Sequence, residues 1–206
     1  MYKGEVFNSV THLIGAVAAL AGLVVLVILA SLQADPWKIV SVSLYGYSLF
    51  QLYLVSTLYH GLTEGTAKRV FNKLDHAAIY VLIAGTYTPF ALVTLRDTWG
   101  WWLFAVIWGL ALMGLLIDMR PQRGKRYIPM IIYLLMGWLM VVAIMPLYRQ
   151  IGAGGASLLL AGGVFYTSGL YFYARASAHN AAHGLWHLFV LAGSISHYFA
   201  ILYYVL

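Results

Sequence analysis

Long apolar runs recur along this chain and limit what it can fold into; LIGAVAALAGLVVLVILAS, at Leu13–Ser31, is the plainest of them. About 20 apolar residues is the length an α-helix needs to cross some 30 Å of hydrocarbon. Further runs follow at about Ile39–Tyr59, Asp75–Leu95, Trp101–Asp118, Ile128–Tyr148, Ser157–Ala174 and His183–Leu206. The breaks between them, QADPWK, GLTEGTAKRVFNK, RDTWG, MRPQRGKRY, RQIGAGGA and RASAHNAA, carry the Gly, Pro or charge that interrupts an apolar run. None is long enough to be a domain. With 63% of 206 residues hydrophobic and 9% charged, the chain is too apolar for a water-soluble domain. The expectation is an all-α polytopic membrane protein: a single domain over residues 1–206, built as a seven-transmembrane helix bundle. The head with Lys3 loosely resembles a signal peptide. The run behind it, about 19 residues, exceeds a leader's apolar region of about 7–15, so it is expected to stay as the first span.

Charge sets the expected orientation. With the N-terminus in the cytoplasm, nine basic residues fall inside: Lys3, Lys68, Arg69, Lys73, Arg120, Arg123, Lys125, Arg126 and Arg175. Only Lys38, Arg96 and Arg149 fall outside. Short loops rich in Lys and Arg stay cytoplasmic, which predicts N-terminus in and C-terminus out. The same asymmetry absorbs the formal net charge of +6, so no nucleic-acid partner is expected. No internal repeat suggests the inverted halves of a carrier. Gly85, Pro89, Pro129 and Pro146 read as sites of close packing and kinking. Trp99, Trp101, Trp102, Tyr203 and Tyr204 read as interfacial aromatics.

Histidines are costly in such a setting, yet HGLWHLFVLAGSISH, from His183 to His197, carries three. His183 and His187 are four apart and share one helix face. On the expected orientation they lie at the cytoplasmic end of the last span. His60, ending STLYH, and Asp75 and His76, in KLDHAAIY, lie at the same depth. Three imidazoles from His60, His183 and His187, with a fourth position left for water, match the catalytic zinc pattern, and the absence of cysteine excludes thiolate ligation. Asp75 reads as a partner of the zinc-bound water, or alternatively as a helix N-cap or counter-ion to Lys73. Ser56, one turn before His60, is a second candidate for the catalytic machinery, or bonds its own backbone. Before the first span, ExxNxxxH aligns Glu5, Asn8 and His12, either as a polar lid over the metal chamber or as a solvated helix start. His76 points about 100° from Asp75 and is a reserve ligand. His179 lies in a polar stretch outside the span. His197, about 15 Å along the helix from His187, is a hydrogen-bonded bundle residue.

Together STLYH, KLDHAAIY, ExxNxxxH and HGLWHLFVLAGSISH resemble the hemolysin III branch of the progestin and adipoQ receptor family, related to the adiponectin receptors. The resemblance covers essentially the whole chain. It implies a seven-helix bundle with a cytoplasmic N-terminus, zinc held by His60, His183 and His187, and Asp75 holding the zinc-bound water. The receptor members are similar to zinc-dependent ceramidases, so membrane lipids are the implied substrates. The chain lacks the long N-terminal region of the animal receptors, which implies a compact multi-pass protein of a bacterial inner membrane rather than a hormone receptor. Two functions follow as expectations: a zinc-dependent hydrolase of a lipid amide or ester, or a non-enzymatic sensor, ion-conducting or pore-forming protein with a structural or regulatory zinc. The sequence specifies no oligomeric state.

Overall fold

The computed structural model describes residues 4–120, 126–175 and 180–206, with side chains in the last stretch described from 182 onward. Lys3, Arg123, Lys125 and His179 lie outside the described residues. The helices are α1 (Val6–Leu32), α2 (Pro36–Gly61), α3 (Thr66–Pro89), α4 (Trp101–Asp118), α5 (Tyr127–Trp138), α6 (Ile144–Arg175) and α7 (Asn180–Tyr204). Two π-helical turns, Phe90–Thr94 and Arg96–Gly100, join α3 to α4, and a 3₁₀ turn, Leu139–Ala143, joins α5 to α6. Among the described residues there is no strand, and six helical segments are long and apolar enough to cross a membrane.

Helix α1 shows which solvent this bundle is built for. Its buried face is Asn8, Ser9, His12, Gly15, Ala16 and Ala19, which fall on one side of a helix of 3.6 residues per turn, with Leu26 and Ala30 further on. Its exposed face carries Ile14, Val17, Val24, Val25 and Ile28, with Ile14 63% and Val17 65% exposed. Polar and small side chains face inward and branched aliphatics outward, the reverse of a water-soluble helix, as expected where lipid replaces water. Helix α2 starts on Asp35, whose side chain accepts from the Trp37 and Lys38 amides, with Pro36 in the first turn.

The breaks are shorter than the sequence suggests. Helix α3 starts at Thr66, nine residues before the expected Asp75, because most of GLTEGTAKRVFNK joins the helix. Helix α1 likewise takes in ExxNxxxH from Val6 onward. The expected break RQIGAGGA reduces to a single residue, Gly152, at φ 62° and ψ −171°. That conformation is open essentially only to glycine.

Gly152 divides the longest of the six segments, the 49 residues Tyr127–Arg175. Laid straight, they would reach about 74 Å, over twice the hydrocarbon thickness. The chain instead doubles back. Trp138 Nε1 donates to Thr167 Oγ1 at 3.0 Å across 29 residues, a separation that would be about 44 Å along one straight helix. Before the fold-back, the 3₁₀ turn frees backbone groups that Tyr87 satisfies: its hydroxyl donates to the Met136 carbonyl at 2.7 Å and accepts from the Met140 amide at 2.9 Å. Replacing Gly152 by Val should lower stability by about 1–3 kcal/mol through backbone strain; thermal unfolding in detergent against wild type measures it.

Candidate metal centre

The site is assembled at one end of four helices. At the end of α2, Ser56 and His60 lie one turn apart, each 2% exposed. At the start of α7, His183 and His187 repeat that spacing, His187 buried and His183 half-buried. The ligand atoms of His60, His183 and His187 lie within 4.8 Å of one another. The ring centroids of His187 stand 4.8 Å from those of both His60 and His183.

The closest pair offers a test of whether an ion fits. The Nε2 atoms of His60 and His183 stand 3.3 Å apart. A tetrahedral zinc bound at about 2.0–2.1 Å keeps its donor atoms about 3.3–3.4 Å from one another. Two imidazole nitrogens so placed match one edge of such a site, and a ligand atom of His187 lies within 4.8 Å of both. The donor set suits a borderline-soft divalent ion and carries no thiolate.

The first turns of α1 back this group. Glu5 Oε2 meets His60 Nδ1 at 2.8 Å and accepts from Lys68 Nζ at 3.2 Å. Burial raises the Glu5 carboxyl, but the hydrogen bonds and charges of His60 and Lys68 outweigh it and hold the group below its ordinary value. Asn8 packs where Gly184 opens space at the start of α7. The His12 ring stacks on His187 at 3.7 Å and 20°. His12 is 3% exposed, neither of its ring nitrogens has a hydrogen-bond partner, and it stands outside the three-histidine group.

A cavity of about 340 Å³ opens beside the group, lined by His12, Ser56, Asp75, His76, His183 and His187 among others. Asp75 lies inside α3 rather than at its start, so it is not the N-cap, and its side chain is in hydrogen-bonding contact with Ser56. His76 is outside the three-histidine group; its Nε2 lies 3.4 Å from the Tyr173 hydroxyl. His197 sits deeper, its Nε2 3.2 Å from the Leu159 carbonyl, in space left by the missing side chain of Gly162.

Lys68 and Arg126 are the participants that sequence reasoning missed, because both were counted only as loop charges that set orientation. Lys68 is 5% exposed, and Arg126, which also lines the cavity, ties the ends of α4 and α5 together through Asp118 at 2.5–2.6 Å. A basic residue at a helix end gives no sequence signal to distinguish these roles. Tyr53 and Tyr166 were missed as well: both hydroxyls meet Ser194 Oγ, at 2.7 and 2.8 Å, and link α2, α6 and α7.

Six apolar helical segments around a buried histidine group define a multi-pass membrane protein with a candidate metal centre. The chain belongs to the hemolysin III family, whose model, described as Haemolysin-III related, matches residues 1–198. It is 45% identical over 205 residues to hemolysin-3 of Bacillus cereus, covering 99% of this chain and 93% of that protein. Identity to a hemolysin-3 homolog of Bacillus subtilis is 42% over 204 residues, covering 98% and 94%. The human monocyte to macrophage differentiation factor is 28% identical over 207 residues, covering 96% and 83%.

If the three imidazoles share one ion, removing any of them removes a third of its protein ligands. Elemental analysis of purified protein should find about one divalent ion per chain, lost in both His60→Ala and His187→Ala. Retention of the ion in either variant would place it elsewhere.

Proposed function

We propose that this hemolysin III protein is a zinc-dependent intramembrane hydrolase of a lipid amide or ester, ceramidase-like in its chemistry. The observation that carries the reading is a group of three imidazoles beside a cavity that is also lined by a carboxylate, Asp75. Three protein ligands leave a fourth position open, as catalytic zinc sites do. When bound, the ion supplies Lewis acidity, which polarises a carbonyl and makes water nucleophilic near neutral pH.

The chain's own residues supply the rest. Asp75 takes a proton at a carboxylate oxygen and returns it to the leaving nitrogen or oxygen. Ser56, in contact with that carboxylate, orients it toward the cavity. Leu52, Ile79, Ile83 and Leu134 give the cavity apolar walls suited to acyl chains. A second cavity of about 370 Å³ shares Thr86, Tyr87, Gly137, Trp138, Gly163 and His197 with the first and extends the apolar space.

The same reading sets the topology. Residues 1–206 form one domain of seven crossings in a bacterial inner membrane, with the fold-back at Gly152 separating the fifth from the sixth. Nine basic residues against three support a cytoplasmic N-terminus, and with it a site near the cytoplasmic leaflet.

The names of the bacterial relatives, hemolysin-3 and its homolog, favour a second reading in which the protein is a sensor, channel or pore with a structural or regulatory zinc. Reconstitution separates the two. For the hydrolase, Asp75→Asn should cut turnover of a lipid amide by about 10²–10⁴-fold while the ion content stays unchanged. Vesicles that leak ions while their lipid is left intact would replace the hydrolase with a pore.

A further inference from the structure

We infer that Glu5 is a positioning residue that fixes the ring of His60, presenting its Nε2 to the His183 and His187 rings. This role rests on the metal-centre reading. Glu5 is the residue from which α1 starts, a position where a side-chain oxygen can cap the helix. Here the side chain makes no capping hydrogen bond. It reaches across to α2, where its Oε2 lies 2.8 Å from His60 Nδ1, on the side of the ring away from the group.

An ionised carboxylate only accepts hydrogen bonds, so this contact requires the His60 proton on Nδ1. The lone pair then resides on Nε2, the nitrogen 3.3 Å from His183 Nε2. Carboxylates behind metal-binding histidines select the tautomer and ring angle in this way. Lys68 holds the carboxylate from α3, its Nζ 3.2 Å from Glu5 Oε2 and 3.1 Å from the Leu62 carbonyl where α2 ends. Three elements that are separate in sequence are thereby tied behind one ring.

The packing of α1 on α2 does not depend on this contact. One turn further along, Ser9 Oγ donates to the Thr57 carbonyl at 3.1 Å, beside Gly61. Ser9→Ala therefore perturbs the same helix pair without touching the carboxylate, and serves as the control for Glu5→Gln, which keeps the side-chain shape and removes the charge.

The test uses the full chain in detergent, stripped of metal and titrated with Zn²⁺ and then Co²⁺, whose visible spectrum reports the ligand geometry. Glu5→Gln should bind about 10–100-fold more weakly, while Ser9→Ala binds as wild type does. In ¹⁵N-histidine-labelled, metal-free wild type, His60 should carry its proton on Nδ1. Equal affinity of Glu5→Gln and wild type, equal loss in Ser9→Ala, or a proton on His60 Nε2 would each overturn the positioning role and leave the metal centre standing. A wild type that takes up neither ion would overturn the metal centre and this role together.

Discussion

Hydrocarbon offers no hydrogen bonds, and most of this structure follows from that. A backbone group left unpaired there costs several kcal/mol, so the chain is helical almost wherever it is apolar. Where the helix gives way, protein groups stand in for water. Tyr87 serves the backbone around the 3₁₀ turn after α5, and Thr86 and Thr88 bond back to the carbonyls of Leu82 and Ala84 just before the π-helical turns. The same constraint drives polar side chains inward, which is why Asn8, Ser9 and His12 occupy the buried face of a helix whose outside is Ile and Val.

Gathering polar groups inward also concentrates them. Helices α2 and α7 each bring a polar pair one turn apart, α3 brings Asp75, and α1 brings the side chains that back the rings. An imidazole buried without a partner is costly, and His12 and His187 both keep ring nitrogens without hydrogen bonds. An ion shared among three rings would offset part of that cost for His187, whereas His12 is met by the rings of His187 and Tyr53. Polar groups buried at that cost inside a membrane bundle mark a candidate functional site.

Not every buried polar residue belongs to the centre. Ser194 receives both Tyr53 and Tyr166, and His197 lies against the Leu159 carbonyl, one helical stretch deeper than His187. These contacts join α2, α6 and α7, and so tie together the helices that carry His60, His183 and His187. Arg126 and Asp118 do similar work between the ends of α4 and α5.

The sequence by itself determined the class of fold and the candidate ligands. The length of the apolar runs requires membrane-spanning helices, and the spacing of His183 and His187 puts both rings on one helix face whatever the tertiary arrangement, because both properties are local. Helix boundaries were less legible: charged stretches such as TAKRVFNK read as breaks, yet they continue the helix where their side chains find partners or solvent. Which role Glu5, Lys68 and Arg126 take, that Asp75 is no N-cap, and that RQIGAGGA shrinks to one glycine were decided by tertiary structure alone. Glu5 and His60 are 55 residues apart. A 2.8 Å contact across that distance depends on how α1 and α2 pack, and neither periodicity nor motif spacing carries that information.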